Sequence, residues 1–304
     1  MDQVGEAELL AAAGAGRALA CGDGNASRRV DAALLRRCCH ELRGQIDPRG
    51  IWLQHAAITG SLDLSGLEVP FPLRFEGCHF DAPLLAEGAR LSGLVLTGCA
   101  VSGLQANGVR IDRDLDLSRT HVTGELRTSA STSKHAAIWL CESEIGGRLL
   151  CVDTVIDGHG ERSIQADRMH VTGNVRLLHQ FTAHGEVRLI GARIGGSLDL
   201  TGARIESFGT GLALDLGEAI IEASVFLIDD PSGRRPLIRG RIDMGQARIG
   251  GQFLIRNATL EAPSADAPVR SRDPPMRAPI SRTSACAVNW CSSLTLPVTC
   301  MRSA

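Results

Sequence analysis

Large apolar residues recur every five or six positions along the middle of the chain, a period that neither an α-helix nor a long strand produces. The series comprises Leu64, Val69, Phe75, Phe80, Ala86, Leu91, Leu96, Val101, Ala106, Ile111, Leu117 and Val122. A second small or apolar residue precedes most of them by two positions, at Leu62, Leu67, Leu73, Cys78, Ala89, Leu94, Cys99, Leu104, Val109 and Leu115. Because residues two apart share one face of an extended backbone, each short segment is expected to turn one pair of side chains inward.

A step of five residues, with one inward pair and one turn, predicts one side of a four-sided coil. One coil needs about 20 to 22 residues, after which the chain has advanced by roughly 4.8 Å and pairs with the coil below. The sequence therefore predicts an all-β fold, a parallel β-solenoid with a narrow rectangular bore. Between Ile58 and Leu260 it allows on the order of 7 to 8 coils once the longer loops are set aside.

A longer repeat is superimposed on the short one. The segments EIGG at 144–147, RIGG at 193–196 and RIGG at 248–251 each begin a similar block. Loops that break the five-residue step are predicted at residues 128–137, 157–163, 207–211 and 229–239. Insertions in repeat proteins map to loops, and we expect these loops to leave one edge of the solenoid, where binding surfaces often arise.

The N-terminal part of the chain has helical rather than five-residue periodicity. An Ala-rich segment from Glu6 to Ala20 predicts one helix, and an apolar stripe from Ser27 to Gly44 predicts a second. Ser27 is the expected N-cap of the second helix, and Gly44 is its expected C-cap. The two helices would cover the first coil, because an open solenoid end exposes unpaired strand edges.

The C-terminal part becomes rich in Pro, Ser and Arg after the repeat stops, a composition typical of disorder. We therefore expect the last coil to be uncapped and available for end-to-end self-association. The predicted domains are an α-helical leader and cap at 1–50, a β-solenoid at 51–262 and a disordered tail at 263–304.

Composition and charge narrow the function classes. The chain has no Tyr, 3 Trp and 7 Phe beside 34 Gly, which fits a bore lined by small and aliphatic side chains. A formal net charge of -2, with both signs mixed along the chain, predicts no nucleic-acid surface. No run of 18 apolar residues predicts a membrane-spanning helix, and the acidic Asp2, Glu6 and Glu8 oppose a signal peptide. The ten cysteines are accordingly expected to be reduced thiols of a cytoplasmic protein.

A search for catalytic chemistry in the sequence predicts no catalytic, cofactor or metal residue. The only GxG next to a helix, at Gly14 to Gly16, lacks the third glycine and the preceding strand of a dinucleotide site. No Cys and His spacing fits a zinc site. Cys78 and Cys99 lie 21 residues apart, at equivalent inward positions. They are expected to stack as a reduced structural ladder, because parallel stacked side chains rarely reach disulfide geometry.

The densest acidic run of the chain is a weak surface candidate. Alternation places Asp114 and Asp116 outward together near Asp112, with Arg110 and Arg113 beside them. Enzymes that cleave polysaccharides on a β-helix use clustered carboxylates with a basic residue on an outer groove. A solvated charged face is the simpler interpretation of these five residues.

In its inward pairs the chain resembles pentapeptide-repeat proteins over roughly residues 51–262. Leu often replaces the usual Ala at the first inward position, and Asp precedes the central Leu only at places such as Asp63, Asp116 and Asp199. The resemblance implies a right-handed quadrilateral β-helix. The ITGxLDL and GARIGG blocks behind an Arg-rich helical leader also resemble actinobacterial solenoid proteins described as membrane-associated oxidoreductases.

The leading hypothesis is a non-enzymatic repeat scaffold that binds a macromolecular partner, a protein rather than a nucleic acid, through its outer faces and edge loops. A membrane-associated oxidoreductase, peripheral to the inner face of the membrane, is an alternative implied by the resemblance alone. A further alternative is a DNA mimic that binds topoisomerase, although the many outward arginines oppose it.

Overall fold

The described part of the chain folds mostly into short parallel strands. The computed structural model describes residues 2–22, 27–124, 135–207 and 211–261. Its strands form four ladders, which we call faces I to IV, and every pairing between strands is parallel. The predicted tail at 263–304 lies outside the described residues.

Face I is a ten-stranded sheet. Its strands are β1 (Leu19–Ala20), β3 (Ile51–Gln54), β6 (Leu73–Glu76), β10 (Leu94–Thr97), β14 (Leu115–Asp116), β18 (Leu149–Val152), β21 (Val175–Leu178), β24 (Leu198–Asp199), β28 (Val225–Ile228) and β32 (Phe253–Arg256). Face IV is an eight-stranded sheet. Its strands are β5 (Glu68–Val69), β9 (Arg90–Leu91), β13 (Arg110–Ile111), β17 (Glu144–Ile145), β20 (His170–Val171), β23 (Arg193–Ile194), β27 (Ile220–Ile221) and β31 (Arg248–Ile249).

Faces II and III belong to one fifteen-stranded sheet, because two long strands run through both. Face II contains β2 (Arg29–Asp31), β4 (Ala57–Thr59), β7 (His79–Phe80), β11 (Ala100–Val101), β15 (His121–Val122), β19 (Val155–Gln165), β22 (Thr182–Arg188), β25 (Arg204–Glu206), β29 (Leu237–Arg239) and β33 (Thr259–Glu261). Face III contains β8 (Leu84–Leu85), β12 (Leu104–Gln105), β16 (Ala136–Trp139), β26 (Leu212–Asp215) and β30 (Arg241–Asp243), with the second halves of β19 and β22. The chain visits faces I, II, III and IV in that order and then returns to face I, as expected for a parallel β-solenoid. One such circuit is called a coil below.

The inward positions predicted from the five-residue step form the core. All twelve residues of the first apolar series are buried, with at most 2% of their surface exposed. The second series is buried as well, except that Leu67 is half-buried. At the last described coil the inward Ile249, Ile255 and Leu260 are only partly buried, because no described strand lies on their far side.

The leader contains two helices, but shorter ones than the sequence predicts. Helix α1 spans Glu6–Gly14, α2 spans Ala32–His40, and a 3-10 turn follows at Arg43–Gln45. The predicted N-cap is wrong: Asp31 caps α2 by accepting a hydrogen bond from Ala33 N at 2.8 Å. The chain just before it is drawn into strand β2 by pairing with β4, so tertiary pairing overrides the helical pattern.

The first coil therefore begins inside the leader. Strand β1 pairs with β3 and strand β2 pairs with β4, so residues before position 50 already extend two ladders. The predicted C-cap, Gly44, lies in the 3-10 turn, since α2 ends four residues earlier. The leader combines two helices with the first strands of faces I and II.

The repeated IGG segments form the turn between faces IV and I. A Cβ atom on Gly146, Gly195 or Gly250 would lie 2.2 to 2.4 Å from a backbone carbonyl oxygen of the preceding coil. Only a glycine can approach that closely. The longer repeat seen in the sequence thus marks one turn of the coil at which successive coils are in backbone contact.

Three of the four predicted loops leave one edge, the turn between faces II and III. The connection from β15 to β16, the bulged part of β19 and the connection from β25 to β26 all join these faces, and residues 125–134 and 208–210 within them lie outside the described residues. The prediction of a single edge is wrong for the fourth loop. That loop joins β28 to β29 between faces I and II, where Asp230 accepts hydrogen bonds from the N–H groups of Ser232 and Arg234.

Candidate functional site: a charged groove on face I

A groove of about 630 Å³ crosses the outer surface of face I over strands β6, β10, β14 and β18. It is lined by Arg74, Glu76, Val95, Thr97, Asp116, Ser118, Arg119, Val152 and Asp153. The groove arises from side-chain length on an otherwise regular sheet. Val95, Thr97 and Ser118 are short, whereas Arg74 and Glu76 on the neighbouring strand β6 are long. Short residues thus form a floor between longer charged side chains.

Strand register determines which of these side chains are neighbours. Arg74, Val95 and Asp116 occupy successive places in one outward row, because Arg74 pairs with Val95 and Val95 pairs with Asp116. Glu76 and Thr97 begin the second outward row in the same way. The rows run along the solenoid axis, so the groove is parallel to that axis.

Five charged side chains in the groove form no ion pair with any described residue. They are Arg74, Glu76, Asp116, Arg119 and Asp153. Each carboxylate accepts one hydrogen bond on one oxygen: from Gln54 Nε2, from Ser118 N and from Gln180 N. The other oxygen of each has no hydrogen-bond partner among the described residues.

Arg74 stands next to an aromatic ring instead of a carboxylate. Its guanidinium carbon lies 5.9 Å from the centroid of the Trp52 ring, within the range of a cation–π contact. The indole N–H of Trp52 is buried and has no hydrogen-bond partner among the described residues. The contact orients the arginine at one end of the groove while leaving its N–H donors without an anionic partner.

Some charged residues on the neighbouring faces and turns form ion pairs. On face IV, Arg110 Nε lies 3.3 Å from a carboxylate oxygen of Glu144. On face III, Arg188 lies 2.9 Å from Asp167 and 3.5 Å from Asp215. Others do not: Arg90, Arg193 and Arg248 on face IV form no ion pair with any described residue, so unpaired charge is not confined to the groove.

Two groove residues, Arg119 and Asp153, have left-handed backbone conformations, with φ of 59° and 55°. They occupy the turn between faces I and II, where the equivalent residues of the two preceding coils are Gly77 and Gly98, also at positive φ. The turn keeps its ladder bond, because Arg119 N donates to Val152 O at 2.7 Å. His55, His179 and Asn257 occupy the same turn position in other coils, also at positive φ, so a left-handed residue other than glycine recurs at this turn. Each such residue costs about 1 to 2 kcal/mol.

The five predicted surface candidates are divided among three places. Arg110 lies on face IV in its ion pair with Glu144. Asp114 lies at the turn before face I and pairs with Arg148 at 2.7 Å, a contact that lowers the pKa of Asp114 through the hydrogen bonds that Arg148 donates. Asp112 and Arg113 are exposed at the same turn. Only Asp116 lies in the groove, so the run of carboxylates does not converge on one point.

Four of the five charged groove residues were not among the sequence candidates. Arg74, Glu76, Arg119 and Asp153 are far apart in the chain, and their proximity follows from the register of consecutive coils. In the sequence, this proximity can be recognised only by comparing outward positions that are one coil apart. A search for dense local runs of charge misses it.

Cys78 and Cys99 are buried free thiols, with 1% and 3% of their surface exposed. Cys78 Sγ lies 3.6 Å from Leu53 O, and Cys99 Sγ lies 3.3 Å from Phe75 O. Threonines take the same position in the next two coils, where Thr154 Oγ1 donates to Leu117 O at 2.8 Å. A hydrogen bond to Cys78, together with burial, raises the pKa of Cys99. The position suits a small buried side chain that can donate a hydrogen bond to the preceding coil.

Two other observations limit the chemistry of the described residues. They contain no group of three or more His, Cys, Asp or Glu side chains arranged to hold a metal ion. No helix within residues 2–22, 27–124, 135–207 and 211–261 has the length and apolar character needed to cross a membrane. Comparison of the chain with protein-family models, with curated proteins and with solved structures finds no match.

Proposed function

We propose that the chain is a non-enzymatic scaffold that binds a protein partner at the face I groove. In this proposal the four ladders form a right-handed, four-sided solenoid of about 7 to 8 coils, related to pentapeptide-repeat proteins, within a cytoplasmic protein. The fixed order of faces and the five-residue inward pattern support such a fold. Its regular backbone would hold the groove side chains at fixed spacing without help from a partner.

The observation that carries the proposal is the set of unpaired charges in the groove. Surface charges contribute chiefly to specificity and association rate when a partner supplies the opposite charge. Two arginines and three carboxylates in one groove, without ion pairs to described residues, offer donors and acceptors for such pairing. Their formal sum is -1, which favours a protein segment over a nucleic acid as the partner.

A photo-crosslinking experiment tests the proposed function. A benzoylphenylalanine replaces Leu150, the outward residue of β18 that pairs with Asp116 beside the groove. The control probe replaces His170, an exposed residue on face IV. Crosslinking is carried out in cells of the organism of origin, and adducts are separated by mass.

We expect one discrete protein adduct from the Leu150 probe and none from the His170 probe. The yield should fall severalfold when Arg119→Gly is added, because a groove charge is then missing. Adding Glu218→Gly, which changes a left-handed exposed residue at the turn between faces III and IV, should leave the yield unchanged. Equal adducts from both probes, or no adduct from Leu150, would contradict a binding role for the groove.

A further inference from the structure

We infer that the groove recognises an extended polypeptide segment with a basic and an acidic residue close together, laid along the solenoid axis. This inference rests on the proposed function and names the chemistry of the partner. Arg119 and Asp153 are the residues assigned to determine specificity. The length of the groove and its arrangement of charge point to this ligand.

The length of the groove suits a short extended segment. Four strands, β6 to β18, define it, and three strand spacings of roughly 4.8 Å give about 14 Å. An extended chain rises about 3.3 Å per residue, so about four residues fit along the groove.

The arrangement of charge excludes a uniform polyanion or polycation. Arg119 and Asp153 are equivalent residues of adjacent coils, about 4.8 Å apart along the axis, and no ion pair joins them. Arg74 and Asp116 repeat the arrangement two strand spacings apart, at about 10 Å. Each arginine thus has a carboxylate beside it, so a ligand of one sign would be attracted at one point and repelled at the next.

A neutral oligosaccharide fits the groove less well than a polypeptide. Sugar rings commonly stack on exposed aromatic faces, and among the described residues the aromatic ring beside the groove is Trp52, which is covered by the Arg74 guanidinium. The floor instead offers the hydroxyl groups of Thr97 and Ser118, which can pair with backbone amides. The charged side chains along the groove match charged side chains of a polypeptide, and the small polar side chains at its floor match the backbone amides.

The two assigned residues lie at the turn between faces I and II. Glycine suits a left-handed turn position best, and the preceding coils have Gly77 and Gly98 there. His55, His179 and Asn257 occupy this position in other coils, so Arg119 and Asp153 are assigned for their charge and their place in the groove and not for their backbone conformation. The Arg119 side chain forms no ion pair with a described residue, and the Asp153 side chain accepts a hydrogen bond from Gln180 N on one oxygen only.

The test uses fluorescein-labelled hexapeptides and the full-length chain. Two peptides carry Lys and Glu two positions apart, in opposite orders, so that both side chains lie on one face of an extended strand. Control peptides carry two Lys, two Glu or two Gln at those positions. A short DNA duplex and a second copy of the unlabelled chain complete the set of probes, and binding is measured by fluorescence anisotropy.

We expect at least one mixed-charge peptide to bind more tightly than every control. Arg119→Gly and Asp153→Gly should each weaken that binding roughly tenfold, the effect of losing one charge-assisted hydrogen bond. Glu218→Gly should bind like the unchanged protein, and far-UV circular dichroism verifies that all three variants are folded. Tighter binding of the two-Gln peptide, the DNA duplex or the second copy would overturn the inference. If the Leu150 probe crosslinks a partner but no mixed-charge peptide is preferred, only the inferred chemistry of the peptide is overturned. If no adduct forms, the proposed function is overturned.

Discussion

Replacement of Arg119 by glycine should stabilise the protein while removing a binding residue. Arg119 is exposed and has a φ of 59°, and it forms no ion pair with a described residue. Its left-handed conformation costs about 1 to 2 kcal/mol. Glycine removes that cost, but it also raises the conformational entropy of the unfolded chain, which lowers the free energy of unfolding by about 0.4 to 1 kcal/mol. The difference predicts a gain of about 0.5 to 1 kcal/mol in the free energy of unfolding for Arg119→Gly.

Asp153 differs from Arg119 because its side chain contributes a hydrogen bond. Its side chain accepts a hydrogen bond from Gln180 N at 3.1 Å, which glycine cannot replace. Such a bond contributes about 0.5 to 1.5 kcal/mol, so the gain in backbone conformation and the lost bond nearly cancel. We therefore expect Asp153→Gly to be close to neutral in stability.

Urea unfolding followed by far-UV circular dichroism measures these differences. Glu218→Gly is the matched control for the backbone effect, because Glu218 is exposed at a φ of 57° on the far side of face III. It should be stabilised as much as Arg119→Gly. Gly98→Ala is the reverse test and should lose about 1 kcal/mol, since an added Cβ would have space but the φ of 65° would be strained. A lower midpoint for Arg119→Gly beside a higher midpoint for Glu218→Gly would refute the reasoning, because the Arg119 side chain would then stabilise the fold.

Three further predictions concern the core, the IGG turn and the corner ion pair. Cys78 and Cys99 should resist thiol reagents in the native protein and react in denaturant, as counted by mass spectrometry; rapid native labelling of both would contradict a buried ladder. Gly195→Ala should lower the free energy of unfolding by about 1 to 3 kcal/mol, because its Cβ would lie 2.3 Å from Thr172 O, and an unchanged urea midpoint would exclude that contact. The guanidinium beside Asp114 lowers the pKa of that carboxyl, so Asp114→Asn should be less stable near neutral pH by under about 1 kcal/mol. That difference should be present above the ordinary pKa of Asp and disappear as the pH falls through the lowered value; a pH-independent difference would contradict the ion pair.

Much of the fold could be predicted from the sequence, because each five-residue step contains one pair of inward, buried side chains. Leu64, Phe75 and Leu96 are buried as expected, since only one outward residue separates the two members of each pair. The start of the solenoid could not be predicted in this way. The segment at Arg29–Asp31 carries a helical stripe, yet its pairing with β4 makes it a strand.

The groove was harder to predict than the fold, because it depends on coil length. Arg74 and Asp116 are 42 positions apart in the sequence, and their shared row depends on two intervening coils of constant length. Arg119 and Asp153 are separated by a longer coil whose insertion leaves at the turn between faces II and III. Because the repeat length changes between these two residues, a constant sequence period does not align them, whereas the strand pairing of face I does.

At two of the four turns, one position in most coils is left-handed, which limits where the chain can gain or lose residues. A single-residue insertion beside Arg119 or Glu218 would place the wrong residue at positive φ and would shift every following side chain to the opposite side. The turn between faces II and III has no such fixed column of residues and already accommodates coils of unequal length. Insertions and deletions should therefore be tolerated most readily along that edge, where three of the four longer loops leave, which makes it the natural place for grafting a foreign loop. The loop between β28 and β29, at the turn between faces I and II, is the exception.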